Sequence, residues 1–153
     1  MNNSTLIDQR LWDSALRLLS RRDHSRRELG QKLQQRQFDS TQIELALDKL
    51  EARDWLSDLR FAQVQVRQHI YKKHGPIRIK IDLQRKGVQA DYIEQALAQE
   101  ATDWFELALA CYQSRFTSEI NLEFKEKTKR MRFLQSRGFN PDHIRYALET
   151  PTE

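Results

Sequence analysis

Residues 43–47 read IELAL, residues 93–97 read IEQAL, and residues 144–148 read IRYAL. Upstream, the apolar series Leu29, Leu33, Phe38, Ile43, Leu47 recurs as Ile79, Leu83, Val88, Ile93, Leu97, 50 residues on. A third copy, a further 51 residues along, keeps Leu134, Phe139, Ile144 and Leu148 but has Arg130 in the first apolar place. A chain that repeats one apolar pattern at this period must bury each copy in the same way, against its neighbours.

Steps of four and five residues between apolar positions fit two helical faces on either side of a short turn. The punctuation agrees. Ser25 with Glu28 makes a capping-box pattern at a helix start, and Pro76 and Pro141 suit a first helical position, where no N–H bond is lost. Gly87 and Gly138 stand where a positive φ would end a helix. The first copy has Gln37 there, so its turn is expected to differ. Ahead of each pair lies another apolar-periodic segment, at about 8–22, 58–73 and 103–114; in the second, Leu59, Ala62, Val66 and Ile70 form one stripe. With only four Gly and three Pro in 153 residues, little interrupts helix. The expected fold is therefore all-α: three tandem three-helix repeats, at 8–53, 54–100 and 101–149, packed end to end into an elongated, curved body. One compact helical domain is the alternative shape.

Charge follows the same repeat. Residues 10–36 carry eight basic and three acidic residues, and 39–59 carry two and six. Residues 60–88 carry eight and one, 89–119 one and six, 123–137 six and two, and 138–153 one and three. The first two helices of each unit are basic and the third acidic, which in a stack would draw two stripes along the body. The competing reading is that alternating blocks only keep the surface soluble and let units attract one another.

The densest basic stretch is 60–88, ending in GPIRIKIDLQRKGV. At about 100° per residue, Ile77 and Ile81 share one side of this helix, with Ile79 and Leu83 nearly opposite. It should be wedged between two apolar neighbours, with Arg78 and Arg85 on the strip between. Arg60, Val64, Arg67 and Tyr71 line up on the helix before it, followed by Lys72 and Lys73. Such a surface suits an anion-rich partner, either phosphates or an acidic protein face.

Several classes find no support. There is no G-x-x-x-x-G-K-[ST] and no G-x-G-x-x-G. His24, His69, His74 and His143 lack zinc-helix spacing and are expected at the surface or in caps. Cys111, in LALACY, is expected as a core thiol rather than a metal anchor. No catalytic set stands out, so neither enzyme activity nor a cofactor is expected. Trp12, Trp55 and Trp104 are expected in cores, Trp104 with Ala108 and Cys111; Trp55, ahead of a helix start, is the ambiguous one. Three-helix units invite comparison with helix-turn-helix DNA readers, but here the third helix is acidic and phosphate would repel it. No apolar run approaches a membrane span and no secretion signal opens the chain, so a cytoplasmic monomer is expected.

Four blocks carry a resemblance over about residues 10–149: RRDHSRRELGQKL (21–33), WLSDLRFA (55–62), GPIRIKIDLQRKGV (75–88) and KRMRFLQSRGF (129–139). Together they resemble the RecX regulators of the bacterial recombinase RecA. Trp55 departs from an Asp/Gly-Tyr pair common at that place. The resemblance implies an all-helical chain of three-helix repeats that binds in the groove of the RecA–single-stranded-DNA filament. It would suppress ATP hydrolysis, filament extension and strand exchange, tempering recombinational repair and the SOS response, and weak DNA binding would be in character. The expected contacts are Arg60, Arg67, Lys72, Lys73, Arg78 and Arg85, then Arg21, Arg22, Lys129 and Arg132. Asp58 and Asp82 are nearby competitors for Arg60 and Arg78. The alternative is a non-specific DNA binder that acts by competing for DNA.

Overall fold

The computed structural model describes residues 6–151 apart from 118 and 120. These residues form nine α-helices and no strand: α1 (Gln9–Arg21), α2 (Arg26–Gln35), α3 (Ser40–Ala52), α4 (Asp58–Tyr71), α5 (Pro76–Arg85), α6 (Ala90–Glu100), α7 (Trp104–Gln113), α8 (Phe124–Ser136) and α9 (Pro141–Glu149). Ser25 and Glu28 make the reciprocal capping box of α2, while Pro76 and Pro141 open α5 and α9. Asp8, Asp39, Ser57 and Asp103 cap α1, α3, α4 and α7 through their side-chain oxygens.

Helices pack mainly within their own triplet: α1 with α2 and α3, α4 with α5 and α6, α7 with α8 and α9. Three separate cores result, centred on Leu11, Leu29, Leu33 and Leu50, on Phe61, Val66, Ile79 and Leu83, and on Cys111, Leu134, Phe139 and Ala147. The accessible surface, 10056 Å², exceeds the roughly 8,100 Å² of a compact 18.3 kDa monomer. That excess is in keeping with three cores in a row rather than one.

In the third core Arg130 takes the place of Leu29 and Ile79, yet it is equally buried, at 5% exposure. Its guanidinium donates to the Tyr112 hydroxyl at 2.8 Å, the Thr117 carbonyl at 2.9 Å and Glu126 at 3.1 Å, and lies 4.7 Å from the Phe116 ring. Nε and Nη1 are thus hydrogen-bonded, and Nη2 faces the Glu119 carboxylate at 3.8 Å, so the buried charge is paired on each side. Arg130→Ala should cost about 2–4 kcal/mol in urea unfolding, because it opens a cavity beside Phe116 and leaves the buried Tyr112 hydroxyl without its partner. Arg130→Leu, restoring the residue type of the other units, should cost less. An alanine variant as stable as the parent would refute the assignment.

Successive units meet at one kind of joint, used twice. The Ser25 hydroxyl at the start of α2 donates to the Lys86 carbonyl at 2.7 Å, beside Gly87. Fifty residues on, the Gly75 and Ile77 N–H groups at the start of α5 donate to the Arg137 and Gly138 carbonyls at 2.7 and 3.0 Å. The second helix of one unit thus begins on the turn of the next. Gly87 and Gly138 have φ of 84° and 98°, and a Cβ on either would collide with Arg27 or Arg78 of the preceding unit.

Four expectations are corrected. Gln37 has φ 67° and makes the same left-handed turn as the glycines. Among the described residues no earlier unit presses on it, so its side chain has room and only the modest φ cost remains. Of the two apolar sides of α5, Ile79 and Leu83 are fully buried, but Ile77 and Ile81 stay 44% and 43% exposed. Trp104 packs against the second core, not with Ala108 and Cys111 in the third. His24 and His74 are buried rather than at the surface, whereas His143 sits in a cap as expected, in the capping box with Asn140.

Candidate cationic partner-binding surface

The surface grows from the loop between α4 and α5. Lys72 ends α4, where positive charge complements the helix dipole, and Lys73 takes φ 60° so that the chain can turn. The loop therefore presents two lysines next to Tyr71, which is 87% exposed. Beneath it, a polar chain ties the two helices together. His69 donates from Nε2 to Asp82 at 2.8 Å, and its Nδ1 lies 2.8 Å from Nδ1 of His74. Burial pushes the Asp82 carboxyl up, but the bonds from His69 and from Lys86, at 3.2 Å, hold it below its usual range.

Burial is the main cause that takes His74 down to about 4, and the positive charges of Arg78, His69, Arg137 and Lys72 add to it. Lys72, Arg78 and Arg137 thus all act on one buried imidazole, although they lie on three segments and two units. Burial likewise lowers His24 and His143. A depressed histidine stabilises the fold fully above its unfolded value near 6.5, and that contribution is lost as pH falls toward the folded value. For His74 alone the loss should reach about 2 kcal/mol by about pH 5. Urea midpoints at about pH 7.5 and pH 5 check this; the midpoint should fall, and His74→Gln should flatten the change.

The expected contact residues divide into two groups. Arg60 lies between Asp23 at 3.2 Å and Asp54 at 3.7 Å, tying α4 back to the first unit. Arg67 pairs with Glu100 at 3.4 Å, and Arg22 with Glu28 at 3.0 Å. The suspected competitors are engaged elsewhere: Asp58 accepts the Arg26 N–H at 2.7 Å, and Asp82 serves His69 and Lys86. Among the described residues Lys72, Lys73, Arg78, Arg85, Arg21, Lys129 and Arg132 have no ion pair. Lys72 and Arg78 both act on the buried His74 between them in sequence. Arg137, half-buried with its guanidinium 5.1 Å from the Phe133 ring, joins them without having been singled out. Its signal was positional: it precedes Gly138 as Lys86 precedes Gly87.

The acidic block of the first unit has internal uses. Arg26 pairs with Glu44, Asp48 and Glu51 at 2.7–2.9 Å. Asp39 caps α3, Asp54 holds Arg60, and Asp58 caps α2. In the second unit Lys80 meets Glu94 at 3.2 Å. Trp55 is 47% exposed, 6.2 Å from Trp12, with the Arg53 guanidinium 5.0 Å from its ring. Cys111 is buried and its thiol is pushed up by that burial, as suits a core thiol. The described residues contain no cluster of His, Cys, Asp and Glu that could hold a metal ion, and no helix long and apolar enough to cross a membrane.

The fold and surface define a class: a tandem helical-repeat protein that presents a cationic face at the joint of two units. Models of the first, second and third RecX three-helix domains match residues 12–50, 57–97 and 101–148. The chain belongs to the RecX family. It is 45% identical to the regulatory protein RecX of Vibrio parahaemolyticus, covering 92% of this chain and 91% of that one. It is 35% identical to the regulatory protein RecX of Halorhodospira halophila, over 100% and 95%. The crystal structure of RecX from Lactobacillus salivarius shares the fold, with a TM-score of 0.77 over 97% of both chains at 23% identity.

Proposed function

We propose that this chain restrains the RecA recombinase by binding in the groove of its filament on single-stranded DNA. Binding slows ATP hydrolysis, filament extension and strand exchange, and so tempers DNA repair and the SOS response. Family membership supports the partner. The observation that carries the contact surface is the group Lys72, Lys73, Arg78 and Arg85, without acidic partners among the described residues and flanked by exposed Tyr71. Arg21, Lys129 and Arg132 are further candidates, while Arg22, Arg60 and Arg67 serve the fold as well. The repeats at 8–53, 54–100 and 101–149 act together, the row of units following successive RecA protomers.

The deciding experiment is RecA's DNA-dependent ATP hydrolysis against rising amounts of this protein, with DNA in excess of both. Strong inhibition at about one molecule per many protomers is expected, because a filament-bound inhibitor acts beyond the protomer it touches. The same cations also fit phosphate, which supports competition for DNA as a second reading. Inhibition that begins only when the protein coats the DNA would favour it, as would a log-log salt slope near −0.7 per phosphate neutralised.

A further inference from the structure

Two of the three cores take in a bulky apolar residue from the start of the next unit. Leu56, just ahead of α4, is buried in the first core, and Trp104, the first residue of α7, packs on the second. Both sit beside a helix N-cap and a carboxylate: Ser57 and Asp58 in one case, Asp103 in the other. Asp58 finds its donor in the Arg26 N–H. Trp104 lines one recess with Leu97 near the end of α6. No described residue plugs the corresponding face of the third unit. There, Leu148 stands 51 residues after Leu97 and helps line an open recess of about 420 Å³ with Ile77, Met131 and Ile144. Ile77 and Met131 are 44% and 43% exposed. The rim carries Lys127, Arg145 and Glu149, and Arg145 also reaches Asp142 at 3.5 Å.

We propose that this recess is a docking site for the start of an α-helix of a partner protein, one that sets a large apolar residue beside an acidic cap. The apolar residue would fill the place that Trp104 fills on the second unit, and Lys127 would meet the carboxylate. This chain's own start carries comparable residues, with Leu6 67% exposed and Asp8 capping α1. A second copy, however, would bring Gln37 to a joint that elsewhere admits only glycine. It would also meet α8, which at 13 residues begins three residues earlier than the 10-residue α2 and α5. A separate protein's helix faces neither obstacle.

The test uses the full chain and a labelled peptide copying residues 101–110, ATDWFELALA, followed by fluorescence anisotropy. Saturable binding with Kd on the order of 100 μM or tighter is expected. Met131→Glu in the protein, or alanine for the peptide's tryptophan, should weaken it at least about tenfold. Lys127→Glu, an exposed change, should weaken it several-fold and stands in should Met131→Glu disturb the fold. Absence of saturable binding, or binding indifferent to both protein variants, would overturn the proposal. So would self-association of the parent chain that Leu6→Glu and Met131→Glu each abolish, since the recess would then serve a second copy.

Discussion

A variant with Lys72, Lys73, Arg78 and Arg85 all replaced by glutamate is expected to fold and to lose its hold on RecA. None of the four has an ion pair among the described residues, and Arg78 loses only one long hydrogen bond, 3.4 Å to the Ser136 carbonyl, so the protein gives up little by losing them. Exposed substitutions of this kind stay within about 0.5 kcal/mol each. A bound partner would instead face four reversed charges. At about 0.5–1 kcal/mol each, these sum to roughly 2–4 kcal/mol, or about 30- to 1000-fold in half-inhibitory concentration. The ATP-hydrolysis titration reads that shift, and thermal melting checks the fold. Unchanged inhibition by a well-folded variant would move the contact surface elsewhere. Arg60 is left out on purpose, because its pairs with Asp23 and Asp54 would confuse binding with stability.

The second large effect is on stability. Gly75 has φ −81°, which any residue adopts, so only space forbids a side chain there. A Cβ would run into the Gly138 carbonyl and come within 2.7 Å of the Phe139 nitrogen, all of it backbone that cannot rotate away. Gly75→Ala must therefore push the second and third units apart. The expected cost is about 2–3 kcal/mol, or a fall in melting temperature of roughly 5–10 °C. Gly30→Ala is the control. There the nearest atom is the Leu47 Cδ1 at 3.3 Å, at the tip of a flexible side chain. Alanine's better helix propensity should offset the crowding to within about 1 kcal/mol. Equal effects at the two sites would mean that the joint is not the close contact described.

The repeat was legible because apolar spacing, caps and prolines are local signals, and together they specified nine helices and where α2, α5 and α9 begin. What escaped the sequence lies between units. Gln37 misled because a glycine can answer two separate demands, a positive φ and a close approach, and only the second excludes a side chain. His74 read as a surface or capping residue, although part of its surroundings, Arg137 among them, comes from the following unit. Trp104 sits among its own helix's apolar residues in sequence, yet it serves the preceding core. The in-phase acidic blocks suggested a second outward stripe, whereas in the first unit every one of those acids caps a helix or holds an arginine. Of the candidate contacts, Lys72, Lys73, Arg78 and Arg85 could be picked from charge density alone. That Arg137 joins them depends on the joint, which no local pattern records.

The joint also sets how the array could grow. A unit enters it twice, offering the start of its second helix to the unit after it and its turn to the unit before it. The first unit offers Ser25, but Gln37 fills its turn; the third offers Gly138, but its second helix carries an added turn at the start. The middle unit alone has both halves in workable form, Gly75 at one end and Gly87 at the other. Duplicating residues 54–100 in tandem is thus the way to lengthen this protein, and neither terminal unit can be copied in the same manner.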